Sequence, residues 1–557
     1  MTTTSTGNGE WNSVVGAYDI SDDVIINHNV TYDDHIDMTG SLTINASKTL
    51  GEGAASKNMT VDGHVSVDGT LDLDRSSSDG NATFDSIIIN SGGQVDAPSH
   101  GTITILSEDS SHAFRCSGGG TFNNNDGTVI IQTPAETRIK MNGTGNIHNL
   151  TINHASCVVF THTDSAGITV EGDLTITAGT LNTSEQGGSD KNLTVAGTTQ
   201  VTGTLTCNSS TISLGTGLTS GWGLDIQSGG TFTGGTGTHT IGSIFAAGGG
   251  TRTITLSSGA TTIDSKNTGN GFTINLASGA TFNHGGGTVT MTYAGNTLIQ
   301  LSSGTLAFNT FTYNASGRTL ELRSPMSCAG NLTLTAGTLD TKSGTNHALT
   351  VTGGRILVNG TLLLNNSTVL ISDTGSDLGI GNSGTVTCAD TNLTVNAFSC
   401  GQGAFTAPSA SGSFIITGEK SGLAFDYDGN GYVHNSGTIQ IKTTASTFVD
   451  FTPNDAAHAD INNVTIDHAS CLAKWTHACT IAGDLLIKQG GMEPDAGDED
   501  FTVQGNVTIG DGTGSANTAV LGNLADDTAA MTFGSLTINS DGKYNATSGT
   551  TTITAET

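Results

Sequence analysis

Apolar and polar residues alternate along this chain in short bursts and almost never at helical spacing. Runs such as Thr102–Ile105 (TITI) and Thr288–Met291 (TVTM) place an apolar residue at every second position, and Ser-Gly, Gly-Gly and Asn-Gly pairs punctuate them. Alternation bounded by turn residues predicts short β-strands. Helical periodicity sustained over about eleven residues is nearly absent. The pattern therefore predicts an all-β protein.

The bursts recur in long phrases. Most of Leu150–Thr183 (LTINHASCVVFTHTDSAGITVEGDLTITAGTLNT) returns in Val464–Leu486 (VTIDHASCLAKWTHACTIAGDLL). Asn314–Thr341 keeps the AGTL-(Asn/Asp)-Thr ending without the His and Cys. A pentapeptide opens each unit: GSLTI at Gly40–Ile44, GDLTI at Gly172–Ile176, GNLTL at Gly330–Leu334, GDLLI at Gly483–Ile487, and GSLTI again at Gly534–Ile538. Its leucines at 42, 174, 332 and 485 lie 132, 158 and 153 residues apart. A shorter phrase of strand, Ser-Gly or Asn-Gly, Gly-Thr and strand recurs inside the units, as in Leu224–Ile241 and Ile274–Met291.

One period nested in another is the mark of a solenoid. The expected fold is an elongated β-solenoid, or β-helix, built from units of about 150 residues, with tandem β-sandwich domains as the alternative. Inward Leu, Ile, Val and Phe would stack on the coil below, and Gly and Asn would turn the corners. At roughly 20 residues and 4.8 Å per coil the chain would make a rod on the order of 130 Å long, with few aromatics in a narrow lumen. The pattern divides it into a cap or attachment segment (1–39), a divergent unit (40–120), three further units (121–278, 279–429 and 430–523) and a partial terminal repeat (524–557). The first segment holds one strand candidate, Asp23–Ile26, and the last ends on a strand whose open coil calls for a cover by oligomerisation or a partner.

Composition sharpens this picture. Glycine supplies 78 of 557 residues and aromatics 5%, but the abundance of Thr, Val and Ile argues against disorder. With 49 Asp+Glu against 18 Lys+Arg the formal charge is −31. No basic stripe exists to neutralise phosphates, so nucleic acid is excluded as a partner, and docking on anionic lipid is disfavoured. Membrane insertion is not expected either, since no apolar run is long enough for a transmembrane helix. The first twenty residues carry neither a basic nor an apolar signal-peptide region.

Candidate chemistry is sparse. His154, Cys157 and His162, echoed by His468, Cys471, His477 and Cys479, have the ligand types of a zinc site but no standard spacing. The eight cysteines form no disulfide framework and are expected as reduced thiols, packed as small core residues. Asp426, Asp428 and Asn430 resemble the start of a calcium loop, with oxygens at alternate positions and Gly431 sixth, although the twelfth position is Gly437 rather than Glu. They are the one candidate metal site, for Ca2+. No cofactor is otherwise expected. The acidic run Glu493–Asp500 reads as a solvated loop. Carboxylates are scattered and aromatic sugar platforms scarce, which argues against an enzyme.

The phrases GDLTITAGTLNT (Gly172–Thr183), GNLTLTAGTLDT (Gly330–Thr341) and the recurring LTV and GTL runs resemble the Gly/Thr/Asn-rich repetitive virion structural and tail-fibre-like proteins of tailed, particularly marine, bacteriophages. The resemblance covers most of the chain and carries no functional residues with it. It implies a non-enzymatic fibre-like projection on the tail or capsid of a virus particle. Such a projection would be assembled in the host cytoplasm as a homo-oligomer, a trimer by preference, with other virion proteins, and would contribute to host attachment through a surface glycan. The absence of an export signal favours this over the alternatives, a bacterial cell-surface adhesin or surface-layer protein at an extracellular location and, after that, a glycan-degrading tailspike.

Overall fold

The computed structural model describes every residue except 54–55, 76–78, 163–166, 185–189, 247, 344, 454–459, 496–498, 516–517, 523–527 and 556–557. The chain divides into two compact units, Met1–Gly287 and Thr288–Thr557. Each is a parallel β-solenoid whose strands pair with their counterparts one coil later, apart from a short antiparallel pair, Lys342–Ser343 with Thr345–Asn346, in the second unit. This parallel pairing excludes the sandwich alternative, whose sheets are antiparallel.

In the first unit a coil has three faces, entered through the buried residues Leu150, Val159 and Ile168. Leu150 lies beside Leu174, then Thr199, Leu224 and Ile244, in steps of 24, 25, 25 and 20 residues. Val159 continues through Leu181, Leu205, Phe232 and Ile254. Ile168 leads to Leu193, Ile212 and His239. Most coils are thus longer than the expected twenty residues, because three strands need three corners. The strand candidate Asp23–Ile26 is a strand with those bounds, paired to Thr2–Thr4 on one side and to Leu42–Ile44 on the other. A single helical turn, Trp11–Val14, packs against strand Val30–Tyr32, buries Trp11 completely and ties its Nε1–H to Ala17 O at 3.1 Å.

The second unit repeats the arrangement. Leu332, Ile356, Leu378, Phe398 and Phe425 form one inward column. Its lumen is wider than expected: Phe398, Phe405 and Phe414 point inward from three strands of one coil, with ring centroids 4.6 to 5.6 Å apart. Phe425 stacks on Phe398 at 5.0 Å and 17°. The few aromatics of the chain are concentrated here, where each ring meets another from the next coil.

The recurring pentapeptide is a corner device. Asp173 Oδ1 accepts the backbone N–H of Thr198 at 2.7 Å, one coil onward. Asn331 Oδ1 accepts that of Arg355 at 3.0 Å, Asp484 Oδ1 that of Asn506 at 2.7 Å, and Ser41 Oγ that of His64 at 3.2 Å. The preceding glycine keeps the corner close. A Cβ on Gly172 would sit 2.3 Å from Asn149 Oδ1, and one on Gly40 would sit 2.4 Å from the backbone of Asp22. The Asp/Asn/Ser position therefore closes the backbone hydrogen bond that a corner would otherwise leave open.

Replacing Asp173 by Leu removes the acceptor of the Thr198 N–H at an exposed corner and should cost about 0.5–1.5 kcal/mol, read from urea unfolding. His239 is fully buried beside Phe232, and burial lowers its pKa from 6.5 to about 4. The unfolded chain then holds this proton more tightly, so stability is full above 6.5 and declines as pH falls toward about 4. His239→Leu should flatten that part of the stability–pH profile, and an unchanged profile would show that His239 does not titrate this way.

Candidate functional site

The His-Ala-Ser-Cys phrase is the first candidate, and the structure gives it a backbone role. Strands Asn149–Thr161, Thr310–Leu322 and Asn463–Trp475 are equivalent, and each loses register over four residues. His154–Cys157, Ala315–Arg318 and His468–Cys471 bulge outward, each opposite a single glycine of the next coil. Those glycines, Gly179, Gly337 and Gly490, have φ of +83°, +88° and +83°. A Cβ there would come within 2.3 to 2.5 Å of the bulge carbonyls. The ring of His154 closes its bulge, Nδ1 accepting the Ser156 N–H at 3.2 Å, and His468 does the same with Ser470.

Cys157 and Cys471 turn inward, within 3.2 and 3.1 Å of the hydroxyls of Thr133 and Thr443. Burial pushes both thiols above their usual pKa, the reverse of what a metal-binding thiolate needs. All eight cysteines are free and buried. Among the described residues, no three His, Cys, Asp or Glu side chains are grouped so as to hold a metal ion.

Asp426, Asp428 and Asn430 lie at the end of one strand and in the corner that follows it. Asp426 faces outward from strand Leu423–Tyr427, Asp428 and Asn430 belong to the following corner, and strand Gly431–Val433 begins at once. Asn430 Nδ2 donates to Gln402 O at 3.1 Å, and Asp428 accepts from the Thr452 hydroxyl. Tyr432, which would follow as the next loop position, is buried in the lumen. The acidic run at 493–500 also begins differently from the solvated loop expected. Glu493 lies within strand Leu485–Pro494, is 2% exposed and pairs with Lys474 Nζ at 3.3 Å. Residues 496–498 of that run lie outside the described ones.

The most organised polar site is one the sequence reading missed. Asp377 has a fully buried side chain. Its carboxylate meets Arg355 Nε at 2.8 Å and Nη2 at 2.9 Å, Lys420 Nζ at 2.8 Å and the Ser399 hydroxyl at 2.5 Å. The guanidinium lies over Gly379, where a Cβ would be 1.9 Å from it. Lys420 reaches back from a tight turn that Leu423 closes. Asp377, Phe398, Ser399, Lys420, Leu423 and Asp426 line an open groove beside this network.

Asp426 pairs in register with Asp450 on the next coil, and His477 Nδ1 lies 2.9 Å from Asp450 Oδ1. Partial burial, with Asp428, Asp450 and Asp377 nearby, raises the pKa of Asp426 from 3.8 to about 6. Asp426 of the calcium candidate thus stands between Ser399 of the preceding coil and Asp450 of the next.

No protein-family model, curated protein or solved structure matches this chain.

Asp377→Asn should destabilise the second unit by about 2–4 kcal/mol, since it leaves two cations without their anion. That is less than for a wholly buried pair, because Arg355 and Lys420 keep 34% and 36% of their side chains in water. The raised pKa of Asp426 acts in the opposite sense. The folded state holds this proton more tightly, so stability is greatest below 3.8 and declines as pH rises through about 6. Asp426→Asn should therefore raise the melting temperature at neutral pH and leave it unchanged in acid. Equal shifts at both would show that Asp426 carries no such penalty.

Proposed function

We propose that this chain is a non-enzymatic structural protein of a virus particle, a fibre-like projection on the tail or capsid that contributes to attachment at the host surface. The observation that supports this reading is how the repeated residues are used. Asp173, Asn331 and Asp484 tie each corner to the next coil, and Gly179, Gly337 and Gly490 seat the bulges. The residues that define the repeat are spent on stacking the chain upon itself, which suits a protein whose task is extension and support. In this reading the outward faces and the groove beside Asp377 are where other virion proteins or a host glycan would be met.

Antibody labelling of native material, divided into cells and purified particles and viewed by electron microscopy, tests the proposal. Label on slender projections of virus particles is the expected result and would show where they attach. Label on cells alone would overturn it in favour of a cell-surface adhesin.

A further inference from the structure

One outward face of the first unit carries a grid of threonines. Thr180, Thr204, Thr231, Thr253 and Thr281 are in-register neighbours on five successive coils. Two residues along each strand a second column runs parallel: Asn182, Thr206, Thr233, Thr255 and Asn283. Of the five residues between the columns, Leu181, Leu205, Phe232 and Ile254 are fully buried in the core and Phe282 is half-buried. No register shift interrupts these pairings. Every grid residue is half-buried or exposed, as side chains standing side by side on a sheet must be.

A single outward Thr on a strand needs no explanation, since β-branched residues favour that setting. Ten adjoining positions without a charge do, in a chain with 49 acidic residues. A mineral or cationic surface would call for carboxylates, and a glycan for an exposed ring to stack on. This grid has neither. It offers one hydroxyl and one methyl per threonine, spaced on the order of 4.8 Å from coil to coil and about 6.6 Å from column to column. Hydroxyls anchor waters by hydrogen bonds, and methyls restrict the waters between them. A rigid lattice of both holds its hydration layer in a repeating arrangement.

We propose that this face adsorbs to ice, its ordered hydration layer merging with the lattice of solid water. The second unit does not offer an equal surface. Its corresponding strands carry Thr338 with Asp340, then Thr361 with Leu363, which break both the neutrality and the repeat. The inference stands apart from the virion reading, because it rests on side-chain spacing alone.

The test uses the full chain, slow freezing and measurement of the protein carried into the ice. The unsubstituted protein should be enriched in the ice fraction. Thr231→Tyr and Thr233→Tyr, at the centre of the grid, should each lower that enrichment about tenfold, equivalent to about 1.4 kcal/mol of surface affinity. Thr333→Tyr, outward on the second unit, should leave it unchanged. Circular dichroism and melting temperature establish that all three variants fold. Exclusion of the unsubstituted protein from ice would overturn the proposal. So would enrichment that survives both central substitutions, or retention on microcrystalline cellulose without retention in ice.

Discussion

The in-register hydrogen bonding of each coil to the next is the constraint on which everything else in this protein depends. Parallel pairing places every residue beside its counterpart one coil away, so inward positions must be filled by shapes that stack. Leu150 on Leu174 and Phe398 on Phe425 are two solutions to the same problem. Corners interrupt the ladder and would leave donors unpaired; Asp173, Asn331 and Asp484 supply the missing acceptors. Bulges interrupt it too, and each faces a single left-handed glycine of the next coil.

This explains what the sequence could reveal. The period of two, the pentapeptide and the turn residues together lead to an all-β solenoid, because each is imposed directly by backbone hydrogen bonding. Strand Asp23–Ile26 was legible for the same reason. The width of the lumen was not: alternation says which residues point inward but not that Phe398, Phe405 and Phe414 share one coil. Nor was the fate of Glu493, whose strand runs further than the acidic composition around it suggests.

Side-chain chemistry was harder to read, because local spacing misleads in a solenoid. His154 and Cys157 look like paired ligands in sequence, yet the bulge turns the thiol inward while the imidazole closes the backbone loop. Arg355, Asp377, Ser399 and Lys420 look unrelated, yet successive members lie roughly one coil apart and meet around one carboxylate. The useful signal is recurrence at the coil length, which becomes readable only once register is known. The threonine grid obeys the same rule, its rows being a few residues long and its columns spaced by whole coils.

The three-faced coil also has a mechanical meaning. A pull along the stacking direction within either unit loads three hydrogen-bond ladders side by side, so neighbouring coils separate only if all three give way together. The corner carboxylates of Asp173 and Asp484 add a tie at the points where a ladder would begin to open. A stack joined this way resists peeling from a corner and shares tension among its faces, as a rope shares it among strands.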